Sequence, residues 1–308
     1  MLRRASHAGT WYPSSESILI NNLEKFLQVR TNGIEKNKNK EGKVLITPHA
    51  GYEYSGNTAG IGYSHMNWSD VDRVFILGPA HHVDLQKCAV SSCTEYETPL
   101  GKLKIDQEVV RSLIKTGYFS QMDLETDEDE HSIELQLPFI YYQLAESSPN
   151  AKIIPILVGA ILPEQEHIYG CLLAPYLKNP KNRFIVSSDF CHWGHRFSYT
   201  YYAEPGQPPR QISRLNPPSS ACPIYASIEQ CDREGMRRIE DGNHEKFIEY
   251  LLKTRNTICG RHPISVILCA LAEAKIHQKF HFLHYTQSSL CKKISDSSVS
   301  YATAIVSY

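Results

Sequence analysis

A chain of 308 residues with 42% hydrophobic and 21% charged positions has the composition of a globular protein with a sizeable core. Its formal net charge of -1 gives no electrostatic reason to expect a nucleic acid or an anionic membrane as partner. No run reaches the roughly 18 apolar residues of a membrane span, and the start, MLRRASHAGTWYPSS, lacks the apolar stretch of a signal peptide. The nine cysteines stand singly, with no CxxC pair, as expected of free thiols in a reducing compartment. Cytoplasm is therefore the expected location, with the nucleus also open.

In chain order, Pro13-Ser14-Ser15-Glu16 opens a helix whose Leu19, Leu23, Phe26 and Leu27 share one face. Residues 31–43 are polar and lysine-rich, a solvated loop. Then come the wholly apolar runs VLIT (44–47) and VFIL (74–77), read as strands covered on both faces. Residues 88–105 read as a hairpin turning at Thr98-Pro99-Leu100-Gly101. A helix follows, with Asp106 as N-cap and Gly117 just past its end.

The run IIPILVGA (153–160) predicts a strand, 163–177 a helix, and FIVSS (184–188) another strand. Pro205 to Pro223 is expected to be a surface loop, because the strand and helix pattern resumes beyond it. A helix over 263–274 and strands over 279–285 and 298–308 complete the chain. Strands alternating with helices predict an α/β fold, one domain over 1–308, with a central mixed sheet flanked by helices.

Ligands in open α/β sheets bind beyond the carboxyl ends of the strands, where the loops converge. Three runs end there in histidine: Thr47-Pro48-His49, Gly78-Pro79-Ala80-His81, and Ser188-Asp189-Phe190-Cys191-His192. Such a set suits a transition metal or acid–base catalysis. A metal needs a third ligand, and Asp189, Glu134 and a cysteine are the candidates. Cys259 lies just before a glycine and a helix start, a setting that favours thiolate over thiol. The acidic run Asp127 to Glu130 reads as an ordinary charged helix start. If a helix begins near Glu130, His131 and Glu134 share one face, where they could hold a metal or orient its ligands from behind.

Seven segments together carry a family likeness: ASHAGTWY (5–12), PHAGYEYSG (48–56), FILGPAHH (75–82), TDEDEHSIELQLP (126–138), VSSDFCHWG (186–194), TICGRHPI (257–264) and DSSVSYA (296–302). They resemble the Memo family, whose members are linked to cell motility and to redox-active metal binding. The family is similar in fold and pocket position to the class III extradiol dioxygenases, non-haem iron enzymes that open catechol rings.

The resemblance implies His49, His81 and Cys259 as ligands of one iron (Fe2+) or copper ion, with Asp189 and His192 lining the pocket and available for acid–base work. It implies no nucleotide cofactor. A metal-dependent oxidoreductase is the implied enzyme class. A thiolate where the dioxygenases have a carboxylate is softer and open to oxidation, which argues against simple transfer of ring opening.

The family also implies docking of phosphotyrosine-containing receptor or adaptor peptides at Trp11, Tyr54, His192 and Arg196, by a protein expected to be a monomer. Residues 203–221 are where this chain is expected to diverge from relatives. A metal-free hydrolase with Cys259 as nucleophile is the third reading.

Overall fold

The structure, a computed structural model, describes residues 1–29 and 42–308. Four parallel strands form its centre, in the spatial order Gly42–Thr47, Asn182–Ser187, Arg73–Pro79 and Lys152–Val158. Their side chains are almost wholly buried, as continuous apolar runs require when both faces are covered. Antiparallel strands extend both edges. Ser298–Ser307 pairs with Gly42–Thr47 on one side, and Cys88–Ser91 with Lys152–Val158 on the other. The sheet is therefore mixed and nine-stranded, with helices packed against it, and the fold is the single-domain α/β class expected.

Local chemistry explains the elements that the sequence predicted. The helix Glu16–Leu27 buries Leu19 and Leu23, with Phe26 and Leu27 partly covered beside them. Asp106 caps Gln107–Lys115 by accepting from the backbone N–H groups of Glu108 and Val109, and Gly117 takes φ +81° just beyond. The helix Pro163–Leu177 runs as predicted, with proline at its first position. Between adjacent strands, Phe75 and Phe184 stack at 4.6 Å, worth about 0.5–1.5 kcal/mol beyond the area they bury.

Three expectations change. Residues 88–105 are not one hairpin. Cys88–Ser91 joins the main sheet, and only Glu95–Thr98 and Gly101–Lys104 turn on Thr98 to Gly101, in a separate small sheet with Leu2–Arg3. The loop expected over 31–43 lies outside the described residues up to position 41, and its last residue, Lys43, belongs to the first central strand. The helix Tyr52–Ser64 was not foreseen at all. A Cβ at its Gly60 would collide with the backbone carbonyl of Phe26, so glycine here serves close helix–helix approach rather than flexibility.

The Pro-rich stretch does lie at the surface. Tyr201–Tyr202 pairs with Arg210–Gln211 there, and Leu215 is fully exposed. No helix among the described residues is long and apolar enough to cross a membrane.

Candidate metal centre

The central strands are parallel, so Thr47, Ser187 and Pro79 end on one edge of the sheet. The residues just beyond them meet there. His49 is buried, and its ring lies 5.2 Å from that of His81, centroid to centroid. Cys259 reaches the same place from the turn before the helix Arg261–Glu273, with its Sγ 3.2 Å from His49 Nε2. His81 lies close enough for it and that sulfur to shift each other's pKa.

Proton accounting fixes which ring nitrogens face inward. Ser187 Oγ donates its one hydrogen to the carbonyl of Ser132, so it can only accept from His49 Nδ1, 2.7 Å away. His49 therefore carries its proton on Nδ1 and presents a bare Nε2 to Cys259. His81 Nδ1 lies 2.9 Å from Glu130 Oε1, and the His81 backbone N–H donates to the other carboxylate oxygen. Outer hydrogen bonds that hold imidazoles by one nitrogen and free the other are how metal-binding histidines are oriented. The donor set fits a transition metal, and the chain has a cluster of two histidines and one cysteine suited to coordinating one.

His131 comes closer than a supporting role required. Its ring stacks between Trp11 at 4.3 Å and His81 at 4.6 Å, and its nitrogens belong to the same tight group as those of His49 and His81. Cys259 Sγ and His131 are therefore both placed to be a third donor beside His49 and His81. His131 Nδ1 is buried and without a hydrogen bond among the described residues, with Glu130 Oε1 3.4 Å away.

Burial sets the charges. It drives His49 well below its ordinary value, helped by His81, His131 and His192, and it holds His131 at about 3. Burial also lowers His81, but hydrogen bonds to Cys259 and Glu130 overcome this and raise it to about 10. Glu130 is raised by burial and pulled down more strongly by His81 and His131, to about 2. Burial pushes the Cys259 thiol up, which corrects the expectation that the nearby helix start would favour thiolate. A nucleophilic cysteine needs the opposite shift, so the hydrolase reading gains nothing here.

The remaining expected residues divide into two groups. Asp189 is buried, accepts from the His49 backbone N–H at 2.9 Å, and donates its own N–H to Cys259 Sγ at 3.2 Å. It braces two ligand-bearing loops at once. His192 Nδ1 faces the carbonyls of Phe190 and Thr257, so it carries the proton there and leaves Nε2 as an acceptor. Trp11 and Tyr54 are exposed, and Arg196 lies over the Phe197 ring, whose edge meets His192.

Glu134 does not share a face with His131 in use. It turns instead to Arg3, His7 and Tyr12. Nor is the acidic run before it merely a solvated helix start: Asp127 binds Arg3 and Ser91, Glu128 binds Arg4, and Glu130 binds His81. Sequence reasoning missed Glu130, Ser187 and His7. Only the acidic residue immediately before His131 offered a signal.

Residues 3–305 match the family model described as Memo-like protein. The chain belongs to the Memo family. It is similar to Protein MEMO1 of Danio rerio, 48% identical over 303 residues, 97% of this chain and 95% of that protein. Protein MEMO1 of Homo sapiens is 46% identical over the same span and coverage. The Protein memo-1 homolog of Caenorhabditis elegans is 42% identical over 308 residues, 99% of this chain and 82% of that one. The Memo match therefore takes in every strand end that builds the cluster.

Proposed function

We propose that this Memo-family chain binds one redox-active metal ion, iron or copper, through His49 Nε2, His81 and Cys259 Sγ, and acts in cell motility signalling as a metal-dependent redox protein. The observation that carries the reading is the convergence of a bare imidazole nitrogen and a second anchored imidazole beside one half-buried sulfur. When bound, the ion supplies one-electron redox chemistry. The chain holds the ligands in register through Ser187, Glu130 and Asp189, and leaves His192 Nε2, three residues beyond Asp189, as a proton acceptor. A thiolate ligand is soft and oxidisable, which favours an electron-transfer or storage role over ring-opening oxygen chemistry.

A pH dependence follows. The Cys259 sulfur is part of what raises His81, so the two titrate as a pair that holds one dissociable proton near neutrality, whichever partner carries it. A metal ion must expel that proton. Apparent affinity should therefore rise about tenfold per pH unit between about pH 6.5 and 8.5. Anaerobic titration against a chelator of known pH behaviour checks this; a flat profile removes the thiol from the ligand set.

A second reading uses the rim. Arg196 is exposed, lies 4.7 Å over the Phe197 ring and has no carboxylate partner among the described residues, while Trp11 and Tyr54 expose aromatic faces. Arginine and aromatic faces are what a phosphotyrosine side chain requires. Arg196→Ala should weaken a phosphotyrosine peptide by roughly tenfold or more, the scale of a charge-assisted hydrogen-bond pair. Fluorescence anisotropy with phosphorylated and unphosphorylated peptides reads this, and indifference to both phosphate and Arg196 rejects it.

A further inference from the structure

A second group of ligand-type side chains lies where three helices meet, sharing no residue with the first. The helix Pro163–Leu177 carries Glu166 and His167, His244–Thr254 begins with His244, and Arg261–Glu273 carries His262 and Cys269. Gly170 lets two of these helices approach closely, since a Cβ there would stand 2.5 Å from Cys269 Cβ. One donor atom each from His167, His244 and Cys269 lie within 4.8 Å of one another.

His244 gives this cluster its direction. Its side chain is 7% exposed, and its Nε2 meets Glu166 Oε2 at 2.6 Å. Glu166 is itself buried and takes His262 Nδ1 on its other oxygen at 2.6 Å. The carboxylate thus fixes the tautomer: Nε2 bears the proton and Nδ1 keeps its lone pair. That Nδ1 is buried and has no hydrogen-bond partner among the described residues. Leaving a buried acceptor unpaired costs about 1–3 kcal/mol, so a ligand is the natural completion. The ring of His167 stands 4.6 Å from that of His244.

We propose that His167, His244 Nδ1 and Cys269 Sγ form a second metal site, for a zinc-class divalent ion, with Glu166 orienting His244 from behind. Two imidazoles and one thiolate are a zinc-type donor set, with the fourth position open to water. Zinc bond lengths of about 2.0–2.3 Å place tetrahedral donors roughly 3.3–3.8 Å apart. Closing from 4.8 Å needs only a small movement, and exposed His167 is free to make it.

Cobalt(II) is the probe, added to the full chain under reducing, oxygen-free conditions, with Cys259→Ser removing the first centre's sulfur so that a thiolate signal reports the second cluster. The Cys259→Ser chain should take up a Co2+ that shows a thiolate-to-cobalt charge-transfer band. Adding Cys269→Ser should abolish the band, and adding His167→Ala should weaken uptake by roughly tenfold or more. Because His167 is a surface residue, its variant folds whatever becomes of the Cys269 one. No thiolate band in the Cys259→Ser chain overturns the proposal. So does a band that survives loss of Cys269, or uptake that ignores His167→Ala.

Discussion

Cys259→Ser is expected to weaken iron or copper binding by at least about 100-fold while leaving the chain folded. Losing a residue that merely orients a ligand typically costs about 10–100-fold, and a ligating thiolate should cost more. Serine keeps the size of the side chain and can still accept the Asp189 N–H that now meets Sγ at 3.2 Å. What it loses is an ionisable, soft donor, because a serine hydroxyl does not deprotonate near neutrality. The substitution also decides between Cys259 and His131 as third ligand, since the nitrogens of His49, His81 and His131 form a compact group of their own. Near-unchanged affinity in Cys259→Ser, with loss in His131→Ala, would transfer the role to His131. Competition titration on thermally intact variants is the measurement.

Glu134→Gln is expected to cost about 3–5 kcal/mol of stability at neutral pH, the usual result of breaking a buried ion pair from one side. Arg3 is 1% exposed, with Nη1 2.7 Å from Glu134 Oε2. The same carboxylate takes the His7 backbone N–H at 2.9 Å, His7 Nδ1 at 2.8 Å and the Tyr12 hydroxyl at 2.7 Å. Glutamine can satisfy some of these donors but leaves the guanidinium charge with Asp127 alone.

The sign with pH follows from the carboxyl itself. Burial raises it, but His7, Arg3 and Tyr12 outweigh burial and hold it at about 2, against an ordinary 4.5. A lowered carboxyl stabilises fully above its unfolded value and loses that contribution as pH falls toward its folded one. The gap between Glu134→Gln and the parent should therefore be widest above about pH 4.5 and should shrink as pH falls toward 2. Denaturant melts at pH 7 and pH 3 show it; a gap that stays constant would mean that the ion pair is not its source. The N-terminal segment also carries Trp11 onto His131, so the variant should loosen that stack as well.

Much of this architecture was legible because it is local. The short apolar runs 44–47 and 74–77, bounded by turn residues, read as buried strands, and their exits put His49 and His81 on one edge of the sheet. Cys259 was less legible: it is adjacent to His49 in space but 210 positions away in the chain, and only the family likeness joined the two.

Glu130 and Glu134 show why the rest stayed hidden. In sequence both belong to one acidic stretch, yet one clamps His81 and the other anchors Arg3, and long-range packing alone separates those fates. The cluster at His244 was hidden for the same reason, because its residues come from three helices with no common motif. The helix Tyr52–Ser64 escaped because glycines chosen for close packing read as breakers.

Metal-edge X-ray absorption on the iron- or copper-loaded Cys269→Ser chain tests the central claim most directly, since it removes sulfur from the second cluster. The account predicts one sulfur at about 2.3 Å and imidazole nitrogens at about 2.0–2.1 Å, taking zinc-like bond lengths as the guide, with the sulfur lost on adding Cys259→Ser. A shell of nitrogen and oxygen alone, or a sulfur that outlasts both substitutions, would contradict it.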